Sequence, residues 1–371
     1  MTKRIIFSLF SFLLLSAYCF GNDDDEDEYP FERFPGTKYE YNGLDFGLVE
    51  SSHEAALTNA NSWVGELVIP SEILYNNEIY TVSQITNNAF AKCNQLTKVT
   101  IPKTVYNIWQ HYPETIAIYK NLFKSCNLLT TVEVDSANQW LCTVDNVLFS
   151  KDTTVLYAYP PALPNRSYSV PESVVTIGGG AFRLARNLTS IHLPLSITRI
   201  DASAFYQCSN LENINLTRLT SIGTNMFFEC KSLKSLEIPS TVTSIGRMAF
   251  DGCESLKVLD FPSSVVSLDE FFVSGCKLER LIIRGIVNKP FPNYVFYDLD
   301  TSATLYVPQS EVARYKEVYA GTVLPLSALP TSIQSLSEKQ KDVSLSDLQG
   351  RRLNVVPAKG LYIKDGKKYV K

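Results

Sequence analysis

The chain has 371 residues, with 34 Lys and Arg against 38 Asp and Glu, and no basic stripe gathers the positive charge into a nucleic-acid footprint. Three histidines are present, without an H-E-x-x-H, a G-x-S-x-G or a phosphate-cradling glycine loop, so metal hydrolysis, nucleophile-elbow chemistry and nucleotide binding lack their residues. The expectation is a non-enzymatic chain with no catalytic residue, no cofactor and no metal.

Residues 1–21 read as an export signal. Lys3 and Arg4 give the positive end, Ile5 to Leu15 an apolar run broken by Ser8 and Ser11, and Cys19-Phe20-Gly21 a cleavage site. The run is too short to span a membrane, and no later stretch is apolar enough to do so. Residues 22–35 open with Asp23-Asp24-Asp25-Glu26-Asp27-Glu28, like charges that repel and stay solvated as a spacer. The same run resembles the acidic stretch that follows the lipidated cysteine of surface lipoproteins of the Bacteroidota. That resemblance would make Cys19 the lipid-bearing residue and give the chain a lipid anchor, although Tyr18 stands where such signals carry Gly, Ala or Ser.

Residues 36–84 alternate like strands, in "TKYEYNGLDFGLVE" and "ELVIPSEILYNNEIYTVSQI", with a hairpin turn predicted at Asn76-Asn77. They read as a β-rich N-terminal cap, since the first edge of a stack of strands needs covering.

Residues 85–284 repeat. "IGGGAFRLARNLTSIHLP", "IDASAFYQCSNLENINLT", "IGTNMFFECKSLKSLEIP" and "IGRMAFDGCESLKVLDFP" align, and the aromatic anchors Phe182, Phe205, Phe227, Phe250 and Phe272 fall 23, 22, 23 and 22 residues apart. A unit of this length cannot bury its own apolar edge, so neighbours stack and share one core. The pattern I-x-x-x-A-F-x-x-C-x-x-L-x-x-I-x-I-P resembles that of the BspA-like, treponemal-type bacterial leucine-rich repeats, over roughly Gly36 to Leu329. The resemblance implies a leucine-rich-repeat solenoid, a right-handed coil with the β-rich cap and a small β C-terminal segment. It also implies a non-enzymatic surface protein of a mucosal bacterium, with adhesion to host matrix proteins as one role. The partner classes are then a host or bacterial surface protein or a glycan, including extracellular matrix and mucin. The location would be extracellular or the outer-membrane surface of a Gram-negative bacterium. A structural scaffold of the cell surface, or an enzyme with an unrecognised site, are the alternatives.

Two insertions interrupt the period, at 106–119 and 137–170. The first holds Trp109, His111 and Tyr112. The second reads as a hairpin turning at Lys151-Asp152 and then a Pro- and Tyr-rich loop with Tyr157 and Tyr159. Such loops often line a binding face, and their aromatics are the expected anchors. The outward strand positions supply the rest of the candidate site, in particular His192, Asn213, Asn215, Glu237 and Asp260, with Arg280 and Ile282 closing the row. Ser136 in Asp-Ser-Ala and Thr153 in Asp-Thr-Thr resemble the O-glycosylation sequon of exported Bacteroidota proteins.

Cys93, Cys126, Cys208, Cys230, Cys253 and Cys276 share one phase of the repeat. Stacked in parallel, their Cβ vectors point the same way, which argues against bridges. They are expected to be buried, reduced and hydrophobic in role. Residues 285–329 read as a C-terminal cap with a short amphipathic helix. Residues 330–371 form a tail that resembles type IX secretion sorting domains at Leu348-Gln349-Gly350-Arg351, Gly360-Leu361-Tyr362 and the basic end Lys367 to Lys371.

Overall fold

The computed structural model describes residues 36–108, 122–216, 218–288, 291–292 and 294–330, together with the tail strands Leu345–Ser346, Leu361–Lys364 and Lys367–Val370, which pair antiparallel. The expected signal and spacer, and with them Cys19, lie outside the described residues. So do Trp109, His111 and Tyr112.

The N-terminal segment is built of strands. Strands β1 (Thr37–Tyr41) and β2 (Leu44–Val49) meet at Asn42-Gly43, and later β5 (Glu72–Tyr75) and β6 (Glu78–Ile85) meet at Asn76-Asn77. All four turn residues have positive φ, between 49° and 79°, the two-residue turn whose twist matches that of the strands it joins. With β3 (Glu54–Asn59) these strands form a sheet in the order β1-β2-β3-β6-β5. Strand β4 (Gly65–Val68) leaves that sheet and pairs in parallel with β7 (Leu96–Ile101), while β8 (Asn107–Ile108) adds to β6. Strand β9 (Thr131–Val134) continues the ladder from β7. Each repeat thus contributes to two parallel rows, one on each side of the shared core.

The second insertion divides differently from the expectation. Strands β10 (Leu141–Val144) and β11 (Val147–Ser150) form a hairpin on Asp145-Asn146, again with both residues at positive φ (50° and 67°). Strand β11 then pairs antiparallel with β12 (Val155–Ala158) across the predicted turn at Lys151-Asp152. From β12 onward the chain is back in the period. Leu156 pairs with Ile177 of β14 (Thr176–Ile177), and Tyr168 of β13 (Ser167–Ser169) with Ile191 of β15 (Ser190–His192). Tyr159 N donates to Ala181 O at 2.7 Å, as Phe182 N does to Ala204 O at 2.8 Å. Residues 155–174 are therefore a repeat rather than a loop, with Tyr159 in the aromatic slot.

The next repeats add β16 (Arg199–Ile200), β17 (Asn213–Ile214), β18 (Ser221–Ile222) and β19 (Ser244–Ile245). Phe182, Phe205, Phe227 and Phe250 stack at 5.3–5.7 Å between ring centroids. The fifth anchor is not the one expected. Phe250 N donates to Phe272 O as Phe227 N donates to Ala249 O, which puts Phe272 in the alanine slot and Val273 in the aromatic slot. Phe261, from β20 (Val258–Phe261), bridges the rings of Phe250 and Phe272. After β21 (Ser267–Leu268), the ladder runs on from β22 (Arg280–Ile283) to β23 (Thr304–Val307) and β24 (Thr322–Pro325), all parallel. Phe296 and Leu299 thus give a further repeat inside the segment expected to be only a cap, and the predicted helix follows at Val312–Lys316.

Among the described residues the apolar interior falls into two large clusters, one gathering residues from Leu44 to Ala158 and the other from Val147 to Val323, and one small one. Strand β11 separates the two large ones. Leu148 belongs to the first, and Val147 and Phe149 belong to the second, because successive side chains of a strand point to opposite faces.

Candidate functional site

The outward row of the strand ladder exists, but less of it is available than its sequence implies. His192, Asn213 and Glu237 are exposed. The Asn215 carboxamide is engaged with the preceding repeat, where Oδ1 accepts from Leu193 N at 2.8 Å and Nδ2 donates to Leu193 O at 2.9 Å. It replaces a rung of the ladder. Asp260 is clasped by the Arg284 guanidinium at 2.7 and 2.8 Å. Ile282 does not face solvent at all, since it packs with Tyr306 and Leu329 in a small cluster over the strand face.

The aromatic anchors expected in the second insertion are also displaced inward. Tyr159 is fully buried and stacks on Phe182 at 5.3 Å, so it offers nothing to a ligand, a correction that follows from its place in the repeat register. Tyr157 is half-buried against the N-terminal core, and burial pushes its phenol above the usual range. Ser136 is exposed, and Thr153 donates its hydroxyl to Ser173 Oγ at 2.8 Å from a left-handed backbone (φ 58°).

A shallow, polar groove of about 290 Å³ runs where β13, β15 and β17 begin, lined by Pro164, Arg166, Asn187, Thr189, Asn210, Glu212 and Ser232. Its two asparagines are held by the turns behind them: Asn187 Nδ2 donates to Leu163 O at 3.1 Å and Asn210 Nδ2 to Arg186 O at 2.6 Å. Glu212 in its lining takes Lys234 Nζ at 2.6 Å. Short hydrogen bonds within the protein thus account for several of the groove's polar groups.

Other rings at least partly open to solvent sit elsewhere. On the A-F-x-x-C turns, Tyr206 and Phe228 stack at 4.6 Å with the Arg183 guanidinium 3.9 Å over Tyr206. Further along, Tyr294 and Tyr297, both partly exposed, pack on Phe271. Near the hairpin, Tyr106 and Trp140 face solvent together. None of these was among the candidates. The only sequence signal for them is a large ring at a variable position of the repeat or beside an insertion. On the same turns, burial pushes the Asp251 carboxyl up to about 7, with Asp298 and then Glu229 adding negative potential.

The six repeat cysteines are free and buried. Their thiols are more than apolar filler. Cys208, Cys230, Cys253 and Cys276 lie 3.0–3.2 Å, and Cys126 3.7 Å, from the carbonyl oxygen of the anchor phenylalanine one repeat earlier, to which each thiol donates. Burial pushes Cys208 and Cys276 up to about 12. Among the described residues, no group of three or more His, Cys, Asp or Glu is placed to hold a metal, and no helix is long and apolar enough to cross a membrane.

The pneumococcal vaccine antigen PcpA is similar in structure, with 18% identity over 78% of this chain and 98% of that one and a TM-score of 0.53. A leucine rich cell surface protein of Faecalibacterium prausnitzii aligns over 78% of this chain and 99% of its own, with 19% identity and a TM-score of 0.41. The T. pallidum leucine rich repeat protein aligns over 82% and 95%, with 14% identity and a TM-score of 0.24. No curated protein matches the chain. The model of the BspA type leucine rich repeat region matches in 6 copies, over residues 71–155, 157–240 and 220–340. With that register running through most of its length, the chain belongs to the BspA type leucine rich repeat family.

Proposed function

We propose that the chain is a non-enzymatic surface protein that binds a protein or glycan of its host or of another bacterium through the face of its stacked repeats. The observation that carries this reading is the row of exposed outward positions, His192, Asn213 and Glu237, presented by successive repeats beside the polar groove. A surface built by repetition grows in area without needing a deep pocket, which suits a large, extended partner better than a small substrate. The repeats form a right-handed solenoid, and residues 36–84 close its first end. In support, β1, β2 and β3 continue the row of β6 and β8 beyond the first repeat. Export rests on residues 1–21, and the acidic run after Cys19 supports the outer surface of a Gram-negative cell, reached either by lipidation of Cys19 or with the help of the sorting-like tail.

The test immobilises the full chain and passes plasma fibronectin, laminin and purified mucin over it. Binding of at least one is expected, weakened about tenfold or more when His192→Ala and Asn213→Ala are combined. No binding to any of the three would remove the adhesion reading. Mass spectrometry of the mature N-terminus decides the anchoring: Asn22 first means release by cleavage, and an acylated Cys19 means a lipid anchor.

A further inference from the structure

Residues 135–140 fix an exposed tryptophan with unusual care. Asn138 is fully buried, and its carboxamide makes four hydrogen bonds. Nδ2 donates to Pro102 O at 3.0 Å and Val105 O at 2.8 Å, and Oδ1 accepts from Trp140 N and Leu141 N, both at 2.8 Å. That is the full capacity of an asparagine side chain. On the other side, Trp140 O accepts from Lys151 N at 2.7 Å. The backbone of Trp140 is therefore held at both ends, yet its side chain is turned outward and the residue is 48% exposed.

Beside it stands Tyr106, 41% exposed, with ring centroids 5.7 Å apart and an interplanar angle of 57°. The Tyr106 hydroxyl donates to Glu54 Oε1 at 3.2 Å, and Glu54 Oε2 accepts from Ser52 Oγ at 3.3 Å. Both rings are thus positioned by their surroundings rather than by contact with a core. Trp63 shows the contrast, since it packs against the N-terminal core and its indole N–H donates to Glu66 O at 2.9 Å. Rigid aromatic anchors bind well because little freedom is lost when a partner arrives.

The chemistry around the two rings narrows the partner. A protein interface needs about 800 Å² on each side with an apolar centre, but the exposed neighbours in the loop are Asp135, Ser136, Ala137 and Gln139. What is offered is a shallow aromatic corner edged by the Glu54 carboxylate and the Tyr106 hydroxyl. A pyranose ring matches it, with a C–H face to lay on the indole and hydroxyls for the polar edge. We infer that Trp140 and Tyr106 form a glycan-binding corner that takes one ring of an uncharged hexose- or N-acetylhexosamine-containing oligosaccharide. This inference rests on the reading of the chain as a surface-binding protein and assigns one of its ligands to a definite place.

The full chain is screened on an array of neutral oligosaccharides, and the strongest hit is titrated by calorimetry against wild type, Trp140→Ala, Tyr106→Ala and, as a control at the exposed Val318 near the C-terminal end of the repeats, Val318→Ala. The expected result is binding by wild type and by the control, and a loss of about tenfold or more in Trp140→Ala at an unchanged melting temperature. Two results overturn the inference: no neutral glycan bound, or glycan affinity unchanged in Trp140→Ala. If wild type binds fibronectin or laminin but no glycan, this inference falls and the surface-binding reading stands. If Trp140→Ala abolishes binding to one of those proteins while no glycan binds, the corner is a protein anchor and the glycan assignment is again overturned. If neither protein nor glycan binds, both fail together.

Discussion

The cysteine slot shows how one atom can serve two repeats. Phe205 O accepts its own repeat's Cys208 N at 3.2 Å and the Cys230 thiol of the next at 3.2 Å. Replacing Cys230 by alanine removes a buried donor and leaves a small void, so a loss of about 1–2 kcal/mol is expected in urea unfolding. The same burial makes the thiols poor nucleophiles, because the thiolate is what reacts. With the protein folded, an aromatic disulfide reagent should therefore label Cys142, which is half-buried, and spare the six repeat cysteines until the chain is unfolded. Rapid labelling of the six in the folded state would contradict their placement. Asp251 gives a pH signature of definite sign. Its folded pKa lies near 7 against about 3.9 when unfolded, so between these values the folded state holds the extra proton. Stability then falls as pH rises through this window and is level above it. Asp251→Asn removes the effect: it should gain roughly 1–3 kcal/mol at pH 8 and almost nothing at pH 4.

Among the elements, the tight hairpins carry the clearest local instruction. Asn76 and Asn77 sit at φ 49° and 64°, where asparagine is tolerated and a β-branched residue is not. Asn77→Val should cost about 1–2 kcal/mol and Asn77→Gly close to nothing, as read by thermal melting. This turn was legible because two asparagines stood between apolar runs. Asp145-Asn146 has the same geometry, but the more obvious Lys151-Asp152 signal places the hairpin one strand late. The repeat at 155–174 was hidden for a related reason. Tyr159 fills the phenylalanine slot, Ala162 the cysteine slot and Asn165 the leucine slot, so the letters lost the period while the backbone pairing kept it. Phe272 misled in the opposite direction, since the Phe271-Phe272 doublet shifts the ring by one residue and only Cys276 marks the true phase. The candidate site is the least legible part of the sequence. Whether an outward residue is free depends on partners about 22–24 positions away, such as Leu193 for Asn215 and Arg284 for Asp260. Trp140 is turned outward by bonds that Asn138 makes to residues 33 and 36 positions earlier, which no local pattern records.

At the scale of the molecule, β11 decides how the stack holds together. Because it lies between two apolar clusters, the stack has a seam where each side can lose its packing separately, as nearest-neighbour repeat proteins do. Phe149→Ala should cost about 3–5 kcal/mol and act on the C-terminal side. All three tryptophans precede β11 in sequence, and the two among the described residues, Trp63 and Trp140, lie on its N-terminal side, so a change in tryptophan fluorescence follows that side. In that variant, circular dichroism should show an early loss of structure that tryptophan fluorescence does not follow, and coincident curves would mean one cooperative unit. The stacking itself has a mechanical consequence. Neighbouring strands add about 4.7–4.9 Å per repeat, while 22 or 23 residues drawn out straight span about 75 Å. A chain held at one end and pulled at the other therefore gives up length in steps of about 70 Å, one repeat at a time and at the cost of one interface each. A load along the stack would first be spent on paying out slack, and the repeats still folded would feel it late.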